Sequence, residues 1–189
     1  MITITYNGID GIFSSLCFDE TLAKPGLLTE FKYHQVENRQ WWFLDSDWIY
    51  WTGKIIFRVR RGFGWNGASV PCGLQWFEKP GDHLAASLPH DSVSSYHWIE
   101  VWDVLRQVWI CTWATRSFAD RLFHNVNRVV YDIRDTKVYL LYSAVRLFGW
   151  WAWYTDVCYG KCKSCKGTVG IDCPYRDQVP TSFATEVLK

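Results

Sequence analysis

An α+β domain is the architecture this sequence predicts, and three observations predict it. Up to about residue 60 the chain alternates as strands do, with aromatic and β-branched residues between turn signals. A glycine-rich break, "GFGWNGASVP" at Gly62 to Pro71, ends that pattern. Beyond it, apolar residues recur at helical spacing to about Tyr154. The expectation is a small N-terminal antiparallel sheet over about residues 1–60, packed by three or four helices over about residues 82–154. These form one domain, 1–154, and a Cys-rich appendage follows over 155–189.

Each element has its own signal. "ITITY" alternates, "WWFLDSDWIYW" is aromatic with a turn at its "DSD", and "KIIFRVRRGF" sets Ile55, Phe57 and Val59 opposite Ile56, Arg58 and Arg60. Asp82 is the expected cap of a helix through "HLAAS", with Pro89 kinking it or starting a new one. "WIEVWDVLRQVW" places Trp98, Val101, Trp102, Leu105, Val108 and Trp109 at helical spacing and predicts a second helix. Ser117 is the expected cap of a third, with Phe118, Leu122, Val126, Val129 and Ile133 as its apolar stripe. Asp120, His124, Asn127 and Tyr131 form a separate polar stripe on it. The apolar run Val138 to Tyr154 makes the last helix. It carries Arg146, is short for a bilayer crossing, and reads as a buried helix rather than an interfacial one.

Composition narrows the function classes. The 189 residues are 49% hydrophobic and 21% charged, which is globular, and a net charge of +1 gives no reason to expect a specific nucleic-acid partner. Thirteen Trp, ten Tyr and eleven Phe supply core volume and also favour protein or membrane interfaces. "MITITYNGIDG" shows no secretory pattern, so the chain is expected to stay in the compartment where it is made.

The order of motifs carries a resemblance. "GFGWNGASVP", "HLAASLPHD", "SFADRLF" and "YSAVRLFGW" together resemble a domain family of unknown function found in phage genomes and prophages. The likeness covers Arg60 to Trp150, and it implies a phage setting, in host cytoplasm or virion, without implying an activity. More distantly, "AASLPHD" and "FADRLF" are similar to the two helices of phospholipase A2 enzymes, which pair a His-Asp helix with a second Asp. The glycine turn stands where the calcium loop of those enzymes would lie.

That second likeness implies a site. His90 would be the general base and Asp120 would hold its other ring nitrogen. Asp91, with carbonyls of Gly62, Gly64 and Gly67, would supply the oxygens a calcium ion takes, and the cation would polarise an ester carbonyl. A competing explanation makes Asp91 and Asp120 ordinary first-turn acids and His90 a core histidine. A third places His124 with His90 and Asp91 around a transition metal.

The cysteines divide. Cys17, Cys72 and Cys111 are scattered and read as buried free thiols. Cys158, Cys162, Cys165 and Cys173 cluster in a tail with little else to order it. They suit structural zinc in a reducing compartment, or two disulfides in an oxidising one. The leading expectation is thus a phage-associated, metal-dependent hydrolase acting on membrane lipid. The alternative is a non-catalytic virion or assembly protein that binds phage structural subunits through Trp-rich surface, and an oligomer fits either.

Overall fold

The computed structural model describes residues 1–8, 13–21, 24–35, 42–67, 83–133, 135–155, 161–162 and 167–168. The architecture is α+β, as the patterning predicts, but the sheets reach well past the N-terminal third. In chain order come β1 (Ile2–Asn7), β2 (Phe13–Phe18), β3 (Gly26–Leu27), β4 (Tyr33–Gln35), β5 (Trp42–Leu44), β6 (Trp48–Trp51), β7 (Ile56–Val59) and β8 (Gly64–Trp65). Helix α1 (Leu84–Tyr96) follows, then β9 (Trp98–Asp103), β10 (Val108–Trp113), α2 (Arg116–Val130) and α3 (Asp135–Thr155). Two short strands, β11 (Lys161–Cys162) and β12 (Gly167–Thr168), pair with each other.

The central sheet has five antiparallel strands in the order β10-β9-β7-β6-β3. Both of its faces are covered. Trp48, Tyr50, Phe57 and Val59 point to the side where Leu88 and Val93 of α1 and Leu122, Phe123 and Val126 of α2 complete the main core. Ile49, Trp51, Ile56 and Trp102 point to the other side, where Ile2 and Ile4 of the β1–β2 hairpin close a smaller core. Period-two alternation explains this, because successive residues of β6 and β7 serve opposite faces. Arg58 on β7 and Arg60 just after it are partly buried and charged. Arg58 and Arg60 both donate to Glu100 of β9, and Arg58 also reaches Asp47. Burial alone would raise the Glu100 carboxyl, but the two guanidiniums outweigh it and hold it below the usual range.

Residues Trp98 to Trp113 form a β-hairpin, not the helix that their spacing predicts. The register runs from Val108↔Asp103 to Trp113↔Trp98. Asp103 Oδ1 accepts the backbone N–H groups of Leu105 and Arg106, and Gln107 takes a left-handed φ of 54°. This side-chain turn competes successfully with helix. Leu105, the supposed helical anchor, lies at the tip of the hairpin and is 96% exposed.

Helix starts also differ from expectation. Thr115, not Ser117, caps α2 by accepting from the Phe118 N–H. The residue before α1 is His83, in a left-handed conformation, while Asp82 lies outside the described residues. Pro89 sits within α1. The polar stripe of α2 is not a solvent face: Asp120 and Asn127 are fully buried alongside Leu122, Phe123 and Val126. Nor is α3 a buried helix, since Val138 and Leu141 face inward while Tyr139, Leu140 and Leu147 are exposed. No helix among the described residues is long and apolar enough to cross a membrane.

Candidate functional site

The close pairing of α1 and α2 rests on small residues. Ala85, Ala86 and Ser87 on α1 and Ala119 on α2 are almost completely buried, so the two backbones approach closely. Tyr131, at the end of α2, accepts the backbone N–H of Ala85, one of the first-turn donors that a helix leaves without an internal partner. This brace sets α1 in register with α2.

The register brings His90 to Asp120. His90 Nε2 lies 3.1 Å from Asp120 Oδ1, and its Nδ1 lies 3.4 Å from Asp91 Oδ1. The ring stands edge-on to Phe123, at 5.9 Å between centroids. Asp120 has no exposed surface, whereas the His90 and Asp91 side chains are 17% and 21% exposed. A buried carboxylate therefore orients a ring that solvent can reach. Neither acid is in a first turn: Asp91 is mid-helix and Asp120 lies in the second turn of α2. First-turn electrostatics thus does not account for them.

Two arginines complete the cluster. Arg146 of α3 donates through Nη1 to Asp120 Oδ2 at 2.8 Å, and Arg116 Nε lies 3.7 Å from the same oxygen. Arg116 Nη2 also donates to the carbonyls of Val145 and Arg146, tying α3 to the start of α2. Sequence reasoning missed both roles. The available signal was an arginine in the middle of the apolar run "YSAVRLFGW".

These contacts set the charge states. Burial favours a neutral His90, but hydrogen bonds and charge from Asp120 and Asp91 prevail and raise the imidazole to about 9. Burial would raise the Asp120 carboxyl, yet its bonds to His90 and Arg146 keep it below the usual range. At neutral pH the ring thus carries protons on both nitrogens. It becomes a base in alkali, or when negative charge at Asp91 is offset.

The other expected site residues have their own settings. Gly62, with a φ of 82°, donates its N–H to Leu44, the Phe63 carbonyl accepts from Leu44, and Gly64 pairs with Phe43 in the β5–β8 ladder. A Cβ on Gly64 would fall 2.6 Å from the Phe43 ring, so close packing accounts for that glycine. Gly67 follows β8 with a φ of 77°. Gly62 lines an open groove of about 580 Å³ with Lys32, His34, Phe43, Asp45 and Arg61, and no member of the His90 cluster lines it. His124 packs edge-on to Tyr142. Among the described residues there is no group of three His, Cys, Asp or Glu that could hold a metal ion.

Of the clustered cysteines, Cys158, Cys165 and Cys173 lie outside the described residues, as does Cys72; Cys162 is in β11. Cys17 is an exposed free thiol rather than a buried one, and Cys111 is a half-buried free thiol.

No curated protein and no solved structure matches this chain. The region 42–145, which runs from β5 through the His90 and Asp120 helices into α3, matches the family described as "Protein of unknown function (DUF1353)". That match spans more than half of the chain, which therefore belongs to this family.

Proposed function

We propose that the protein is a hydrolase of ester bonds, with His90 as general base and Asp120 as its positioning partner. One observation carries this reading: a fully buried Asp120 bonded at 3.1 Å to a solvent-reachable His90 on a separate helix. A base of this kind takes a proton from water and must present one ring nitrogen while the other is held. The carboxylate side of that arrangement is preorganised by Arg146 and Arg116. The phospholipid substrate, the phage setting and a calcium ion at Asp91 belong to the same proposal. Bound there, a hard cation would offset the charge of Asp91 and polarise the ester carbonyl.

The test is fatty-acid release from phospholipid vesicles, with calcium and with chelator, by wild type and His90→Ala. The expected result is release by wild type and a loss of about two to four orders of magnitude in the variant. Release that is absent under every cation and pH condition refutes the reading.

A second reading, an assembly role, draws on the β9–β10 hairpin. Leu105 at the hairpin tip is 96% exposed, and Val108, Ile110 and Trp113 on the edge strand β10 are 45%, 37% and 51% exposed. Apolar side chains gathered at an open edge favour association. Sedimentation of wild type against Leu105→Ser with Trp113→Ser tests it, and unchanged monomeric behaviour of both proteins counts against it.

A further inference from the structure

Arg146 has more donors than its known bond uses. A guanidinium carries five N–H donors, and among the described residues only Nη1 of Arg146 has a partner, Asp120. Its side chain is 41% exposed, whereas Arg116 is 21% exposed and spends its Nη2 on two α3 carbonyls. Arg116 is therefore a brace, and Arg146 faces outward. Asp120 shares its oxygens, Oδ1 to His90 and Oδ2 to Arg146, so the guanidinium and the imidazole flank one carboxylate. Two guanidiniums against that single buried carboxylate leave positive charge at the exposed one, while Asp91 sits at the opposite ring nitrogen. A planar fork whose other donors meet no described residue, bonded to the same carboxylate as the ring, suits a phosphate oxygen pair.

We propose that Arg146 receives a phosphate-type anionic group of the ester that His90 attacks, making it a specificity-determining residue. The proposal rests on the hydrolase reading for its reaction, but the binding site itself can be tested without turnover. The shared chemistry is a phosphate anion, drawn from a phospholipid headgroup or from a free phosphate.

The experiment measures binding of uncleavable short-chain ethers by calorimetry. A diether phosphocholine, the matching diether glycerol without phosphate, and inorganic phosphate are the probes. Wild type should bind the phosphocholine ether at least about tenfold tighter than the neutral ether, as one charge-assisted hydrogen bond implies. Arg146→Met should remove that preference, and Arg146→Lys, which keeps the charge without the fork, should retain part of it. Competition by inorganic phosphate would support a site open to the free anion. Tight phosphocholine binding without such competition would support the lipid source. Equal binding of the two ethers, or full discrimination by a folded Arg146→Met protein, overturns the proposal. If Arg146→Met fails to fold, the Lys variant decides: discrimination identical to wild type across all three probes then overturns it. Arg146-dependent binding without any ester hydrolysis would leave the anion site standing and remove the hydrolase reading.

Discussion

His90 is held between two carboxylates, and its charge state decides how stability responds to pH. Its folded value of about 9 lies above the ordinary 6.5. Its contribution is therefore complete below about pH 6.5 and is lost as pH rises through about 9. Asp120 and Glu100 shift downward, so their contributions are present at neutral pH and are lost in acid. Urea unfolding should accordingly show greatest stability in weak acid, up to about pH 6.5, and a decline on either side. His90→Gln should flatten the alkaline decline and leave the acid decline in place. An alkaline decline that is identical in the variant would show that the ring is not held as described. The same geometry predicts an ascending limb near pH 9 in any hydrolytic rate measured without cation, moving lower if a cation offsets Asp91.

At the scale of elements, the buried ionic group between β7 and β9 is a second test. Arg58 is 9% exposed and Glu100 3% exposed, and Arg58 also lies 4.4 Å over the Trp109 ring. Glu100→Gln removes the charge that two guanidiniums share. Breaking a buried pair from one side costs about 3–5 kcal/mol, measurable as a lowered urea midpoint. A change below about 0.5 kcal/mol would place the group among inconsequential surface pairs instead. The hairpin tip should behave oppositely: Leu105→Ser touches no core and should change stability by less than about 0.5 kcal/mol. The helical expectation for this hairpin has a physical cause. Trp98, Glu100 and Trp102 alternate with Ile99, Val101 and Asp103 as strand residues do, yet aromatic and aliphatic residues on both faces also satisfy helical spacing. The deciding signal was the Asp103 turn, a local polar preference that periodicity ignores.

Over the whole molecule, what was legible followed from chain-local pattern. The strands from β5 to β7 and the span of α3 follow from alternation and apolar length, and the His90 and Asp120 helices from their short motifs. The burial of Asp120, and its bond to an arginine 26 residues away, depends on how α3 crosses α2. No window on the sequence contains that information. The tail carries its own proposal, one structural zinc on Cys158, Cys162, Cys165 and Cys173. Metal analysis after reducing purification should find close to one zinc per chain, lost in Cys165→Ser; freely titratable thiols with no metal would exclude it.

The claim that unites these scales is that Asp120 serves His90 rather than the core alone. Its most direct measurement is kcat/KM for ester hydrolysis by Asp120→Asn, set beside the variant's urea midpoint. With the geometry kept and the wrong imidazole tautomer favoured, the rate should fall by about three to four orders of magnitude, far more than any fraction unfolded explains. A folded Asp120→Asn protein as active as wild type would contradict the account.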